Sequence, residues 1–147
     1  MTDDEREVFL DEQRVLNVAT IGPTGHPHLV AMWYAVVDGH PSFWTFGKSQ
    51  KIVNLRRDPR ITALVESGET YGEPRGVELV GTARIVEDFD EIVAIGRAVA
   101  AKYQGPAATS SPEVLAFLEG QARKRVGVVI DVDRVVSWDH TKLGGTY

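Results

Sequence analysis

The run HLVAMWYAVV, residues 28–37, constrains the fold more than any other stretch of the chain. Side chains alternate across a strand, so Leu29, Ala31, Trp33, Ala35 and Val37 share one face while Val30, Met32, Tyr34 and Val36 share the other. Both faces are apolar and neither suits water. The interior of a barrel fills one of them. The second needs a cover: a packed helix, a second subunit or a flat ligand. Trp33 and Tyr34, planar side chains with polar handles, favour a subunit interface with a ligand wedged into it.

The surrounding sequence supplies the rest of a barrel. VLNVATIG (residues 15–22) is joined to this run by the turn GPTGHP, and Asp38-Gly39 makes a tight hairpin into SFWTFG (42–47). RITALVES (60–67) and RGVELVGTARIVED (75–88) follow, with Val77, Leu79, Gly81, Ala83 and Ile85 alternating onto one side and Gly81 marking a bend. RVGVVIDV and RVVSWDH close the chain as strand material. Helical patterns occupy Thr2 to about Arg14, Ser49 to Asp58, Phe89 to about Gln104 and Pro112 to about Ala122. Some six strands in antiparallel order, with helices inserted between them, predict a small closed barrel, because closure removes exposed edges.

The helix beginning at Ser49 breaks a rule that the other three keep. Acids stand in the first turns at Asp3, Asp4 and Glu5, at Asp90 and Glu91, and at Glu113, where the helix dipole favours them. At Ser49 the flanking charges are Lys48 and Lys51. A bound anion accounts for this, since free N–H groups, the Ser49 hydroxyl and two ammonium groups would converge on it, with Asn54 one turn on from Lys51. The alternative is a pair of solvated surface lysines. Arg56 and Arg57 sit at the helix C-terminus, where cations are favourable.

Composition narrows the chemistry. A chain of 147 residues, 43% hydrophobic, predicts one domain spanning 1–147. The formal net charge of −5 argues against general affinity for nucleic acid or anionic membrane. The absence of cysteine removes disulfides, thiolate metal sites and thiol nucleophiles together. The acidic N-terminus and the lack of a long apolar run lead to the expectation of a cytoplasmic protein. His26 and His28 sit in a turn region with no evident third ligand, so no metal site is expected. No nucleophile elbow, phosphate-binding glycine loop or zinc-binding helix is present. If the chain is an enzyme, a cofactor carries the chemistry.

Taken in order, VLNVATIGPTGHPHLVAMWYAVVDG, FWTFGKSQKIVNLRRDPR, RGVELVGTARIVED and SWDHTKLGG resemble the pyridoxamine 5′-phosphate oxidase-like split β-barrels. Within them the likeness is greatest to the actinobacterial branch described as coenzyme F420-dependent oxidoreductases. The resemblance implies a mainly β fold with inserted helices, a six-stranded antiparallel split barrel of the FMN-binding type. It also implies a homodimer with cofactor sites at the subunit interface. Lys48, Ser49, Gln50, Lys51 and Asn54 would hold the cofactor phosphate, and Met32, Trp33, Tyr34, Trp44 and Thr45 would border the ring system. Trp138 and Lys142 would come from the partner subunit, and Arg56 and Arg57 would meet an anionic glutamate tail. The cofactor implied is F420, with FMN as the alternative, and the activity is hydride transfer from reduced deazaflavin to a small reducible substrate. A non-catalytic F420-binding or storage protein is a further reading. Tyr34 and His28 are the proton-donor candidates. The ending WDHTKLGGTY stands where the vitamin B6 oxidases carry an Arg-Leu-x-Pro-type element, which argues against pyridoxamine phosphate oxidation.

Overall fold

Helix α1 (Asp3–Glu12) opens the chain with the expected capping box, in which Thr2 accepts from the Glu5 N–H and the Glu5 carboxylate accepts from the Thr2 N–H. Its last turn carries no base, and a later helix supplies one: Lys102 Nζ donates to the Leu10 carbonyl at 2.8 Å, beside the Tyr34 hydroxyl, which donates to the same oxygen at 2.6 Å. The computed structural model describes residues 1–144. Gly145, the last residue of the SWDHTKLGG segment, lies outside them with Thr146 and Tyr147.

The described strands are β1 (Leu16–Ile21), β2 (Pro27–Met32), β3 (Ala35–Val37), β4 (His40–Phe46), β5 (Arg60–Ser67), β6 (Arg75–Val86) and β7 (Arg125–Asp139). The other helices are α2 (Gln50–Arg57), α3 (Phe89–Gln104) and α4 (Pro112–Ala122), with short 3-10 turns after α3 and β7. All strand pairs are antiparallel, in the order β2-β1-β5-β6-β7-β4-β3. The sheet therefore has seven strands, not the six expected, because the 28–37 run is two strands rather than one.

That division shapes the molecule. β2 and β3 are consecutive in the chain yet lie at opposite edges of the sheet, joined only through Trp33 and Tyr34. Three Cα–Cα steps reach about 11 Å at most, whereas the edges of a flat seven-stranded sheet stand about 28 Å apart. The sheet must curl until its edges nearly meet. They meet without pairing, which leaves a split. Tyr34 turns inward there and is fully buried, while Trp33 turns outward and stacks on Tyr103 of α3, centroids 4.4 Å apart.

The curled sheet encloses a core of Leu16, Val18, Phe43, Ile61, Val65 and Val128, plugged at its ends by Phe9 of α1 and by Ile52 and Leu55 of α2. A second cluster lies outside the barrel, where Ile92, Ile95 and Val99 of α3 pack on Ala35, Val86 and Val129. Gly96 of α3 permits this approach, since a Cβ there would stand 2.7 Å from the Trp44 ring. The bend at Gly81 is real: the β6–β7 register shifts between Val80 and Gly81, and a Cβ on Gly81 would meet the Asp131 carbonyl oxygen at 2.0 Å. The outward face of β2 has no such cover, and Leu29 is 66% exposed. Among the described residues, no helix is long and apolar enough to cross a membrane.

Candidate functional site at the split of the barrel

The chain leaves β4 at Phe46 and enters α2 through Ser49, whose extended backbone (φ −68°, ψ 152°) suits an N-cap. The expected cap bond is nevertheless absent. Thr2, Asp88 and Ser111 each accept a first-turn N–H with their side chains at α1, α3 and α4; Ser49 does not. Its hydroxyl oxygen is buried with no hydrogen-bond partner, and the N–H groups of Gln50 and Lys51 have no acceptor within the helix. Unmet donors at a helix start suit an incoming anion.

Below this start, polar residues of α2 reach the barrel wall beside the buried apolar pair Ile52 and Leu55. Lys51 Nζ donates to Thr45 Oγ1 at 3.1 Å, and partial burial pulls its pKa below the ordinary lysine value. Asn54, fully buried, donates to Thr20 Oγ1 at 3.0 Å and accepts from Gln50 Nε2 at 2.8 Å. Thr20 lies opposite His28 in the β1–β2 register, and the buried His28 Nδ1 has no partner. Lys51 and Asn54 thus share a side, as their spacing predicts. The amide of Asn54 is already committed inside the barrel, so it braces the helix instead of facing its entrance.

A cavity of about 510 Å³ opens on the other side of the β4–α2 turn, lined by Phe46, Gly47, Lys48 and the run Arg123 to Val126. Lys48, Arg123, Lys124 and Arg125 form no ion pair among the described residues. The Arg125 guanidinium lies over both the Trp44 and Phe46 rings, at 4.7 and 4.8 Å, with its Nε buried and unpartnered. Sequence reasoning missed Arg123, Lys124 and Arg125. Only the density of bases in ARKR signalled them, and nothing in sequence order brings that run beside Lys48; the β4–β7 pairing does, setting Phe46 opposite Arg125.

Other expected site residues lie elsewhere. Trp44 and Thr45 point to opposite faces of β4, so Trp44 packs under α3 and Arg125 while Thr45 faces Lys51. Tyr34 is sealed in the core; burial, the main cause, and then Tyr103 and Asp11 push its hydroxyl pKa far up, and its proton is held by Leu10. It is no proton donor to a ligand. Met32 is half-buried against the core, and Trp33 is 59% exposed. Arg56 pairs with Glu87 at 2.5 Å, and Arg57 donates to the Ile21 carbonyl. Trp138 covers Gly76, and Lys142 donates to the Glu5 carboxylate at 2.6 Å, both away from α2 in this chain.

The model of the family described as pyridoxamine 5′-phosphate oxidase matches residues 2–139. The conserved hypothetical protein Rv2991 of Mycobacterium tuberculosis is 46% identical, with a TM-score of 0.92 over 100% of this chain and 90% of its own. A suspected 5-nitroimidazole antibiotic resistance protein of Bacteroides thetaiotaomicron is 16% identical, with a TM-score of 0.77 over 93% of this chain and 84% of its own. An F420 reductase is 22% identical, with a TM-score of 0.64 over 88% and 94%. These last two likenesses speak for the fold alone. No curated protein matches the sequence.

Proposed function

Because the chain belongs to the pyridoxamine 5′-phosphate oxidase family, we propose that it is a coenzyme F420-dependent oxidoreductase acting as a homodimer on a small unsaturated or otherwise reducible organic substrate. One observation carries the reading: among the described residues, the Ser49 hydroxyl is buried and unpartnered at the one α-helix start whose N-cap side chain makes no cap bond, beside cations that form no ion pair.

The donor set fits a cofactor that carries a phosphate. Ser49 and the first-turn N–H groups would donate to the phosphate at the start of α2, with Lys48 on the solvent side and Lys51 on the barrel side. An anion there would also offset the burial that disfavours the Lys51 charge. Gln50 and Asn54 hold the helix against β1. Met32, Trp33 and Thr45 border the split where a ring system would lie, and Trp44 supports Phe46 through the shared Arg125 guanidinium. With Arg56 and Arg57 engaged elsewhere, and Arg123 and Arg125 lying over aromatic rings, Lys48 and Lys124 are better placed to meet an anionic tail. Bound deazaflavin supplies the hydride; the protein contributes orientation and exclusion of water.

The uncovered face of β2 supports the dimer. Leu29 and Ala31 lie in the open there, and a second copy would bury them and wall the split. Trp138 and Lys142 belong to the reading only as contributions from that second copy. With Tyr34 sealed, His28 is the proton-donor candidate. The same sealing keeps a second reading in play, a non-catalytic F420 carrier.

Titration of the purified protein with F420 and separately with FMN, followed by ring fluorescence, tests the assignment. Tighter binding of F420 is expected, and preference for FMN would move the chain to an FMN-dependent oxidase or reductase. Tight F420 binding without turnover across a panel of enones and quinones would favour the carrier.

A further inference from the structure

At the opposite end of β4 from α2 lies a second cavity of about 510 Å³, between α1 and the mouth of the barrel. Five residue steps from Phe46 to Pro41 separate the two by roughly 17 Å, so the second is a place of its own. Its floor is apolar: Leu10, Val36, Pro41, Leu79 and Val135 line it, the first from α1 and the rest from β3, β4, β6 and β7. Leu79 is 2% exposed and belongs to the barrel core, whereas Val36 and Val135 are each 39% exposed. The cavity thus runs from solvent down to the core. Its volume falls in the range of small-molecule sites.

The rim is charged with one sign in excess. Asp3, Arg6, Glu7 and Asp11, all from α1, line it; their spacing of three and four residues sets them on one helix face. The Arg6 guanidinium is taken by Asp3. Asp11 lies close enough to Lys102 to favour its charged form, while Lys102 itself is anchored to the Leu10 carbonyl. Glu7 has neither an ion pair nor a hydrogen bond among the described residues. One uncompensated carboxylate therefore stands over an apolar floor.

We propose that this groove binds a small amphipathic organic cation, an amine carried on an apolar body, with the ammonium at Glu7 and the body on Leu10, Val36, Leu79 and Val135. An anion would face the carboxylates, and a fully polar cation would leave the floor unused. The match is in both charge and surface.

Three isosteric probes test it: 2-phenylethylamine, 2-phenylethanol and phenylacetate, each titrated into the full chain and followed by backbone amide NMR. Shifts are expected at Leu10, Val36, Leu79 and Val135, with the amine bound roughly three- to five-fold more tightly than the alcohol and the carboxylate weakest. Glu7→Gln should erase the preference for the amine while leaving alcohol binding in place. Val36→Trp, which fills the groove, should remove binding of both. Equal affinity of amine and alcohol in the wild-type chain, or shifts centred on Ser49 instead, would overturn the proposal. The expected shifts lie away from the α2 site, so the result is independent of the cofactor.

Discussion

Helices α1 and α2 start from nearly the same backbone. Thr2 (φ −69°, ψ 173°) and Ser49 (φ −68°, ψ 152°) are both hydroxyl N-caps in the extended region. Their wiring differs. Thr2 closes a capping box with Glu5, three acids follow in the first turn, and Lys142 reaches back to Glu5 from the far end of the chain. Ser49 closes nothing, has no acid after it, and sits between lysines. One start is satisfied by its own chain; the other leaves its donors to be satisfied from outside. Backbone geometry alone does not separate a satisfied cap from an open one, whereas the partners of the cap side chain do.

The largest expected effect that would sharpen this contrast is on ligand affinity. Lys51→Ala should weaken F420 binding by about 1–3 kcal/mol, the range for losing a charge-assisted hydrogen bond, measured by fluorescence titration; unchanged affinity would break the comparison at its open end. Next comes a crossed pair of substitutions. Thr2→Ala should lower unfolding stability in urea by about 0.5–2 kcal/mol and leave cofactor affinity alone. Ser49→Ala should do the reverse, with stability within about 0.5 kcal/mol of wild type and binding weaker by about 0.5–1.5 kcal/mol. Similar losses of stability from both changes would mean that the two caps are alike.

Two pH effects are smaller. Burial lowers the Lys51 pKa from its ordinary 10.5, so its ammonium deprotonates earlier than a free lysine on the way up. Cofactor affinity should accordingly decline with rising pH before 10.5, and Lys51→Arg should shift that decline upward. At α1, the hydrogen bond from Lys142, first, and then that from Thr2 hold the Glu5 pKa at about 2 against an ordinary 4.5. A lowered carboxylate pKa contributes stability that is present above pH 4.5 and is lost as pH falls from 4.5 toward 2. Both partners are exposed, so the effect is modest; Lys142→Met should flatten the acid limb of the stability curve, read by denaturant unfolding at successive pH values.

Local chemistry explains what the sequence disclosed of the fold. Asp38-Gly39 was legible as a hairpin because both residues take positive φ, 50° and 81°, in a two-residue turn between apolar runs. The starts of α3 and α4 were legible in the acids of their first turns, Asp90 and Glu91 in one and Glu113 in the other. The break after Met32 was not legible, because the alternation of apolar residues continues unbroken through Trp33 and Tyr34. Only closure of the barrel, a property of the whole sheet, demands it. The anomaly at Ser49 was visible as charge against a dipole. The fate of its neighbours was not: Asn54 is consumed by Thr20 from another strand, Trp44 by a glycine of α3, and Arg125 joins Lys48 through the pairing of Phe46 with Arg125, 79 positions apart in number.

The two-residue link between β2 and β3 also governs how the split gives way. At Trp33 and Tyr34 the edges are riveted together, and Tyr34 is held on both its hydroxyl and its N–H. Farther back, toward Pro27 and His28, no strand pairing joins β2 to β4. Any opening of these edges therefore pivots like the blades of shears about a fixed pin, with the greatest travel at the tips and almost none at the rivet.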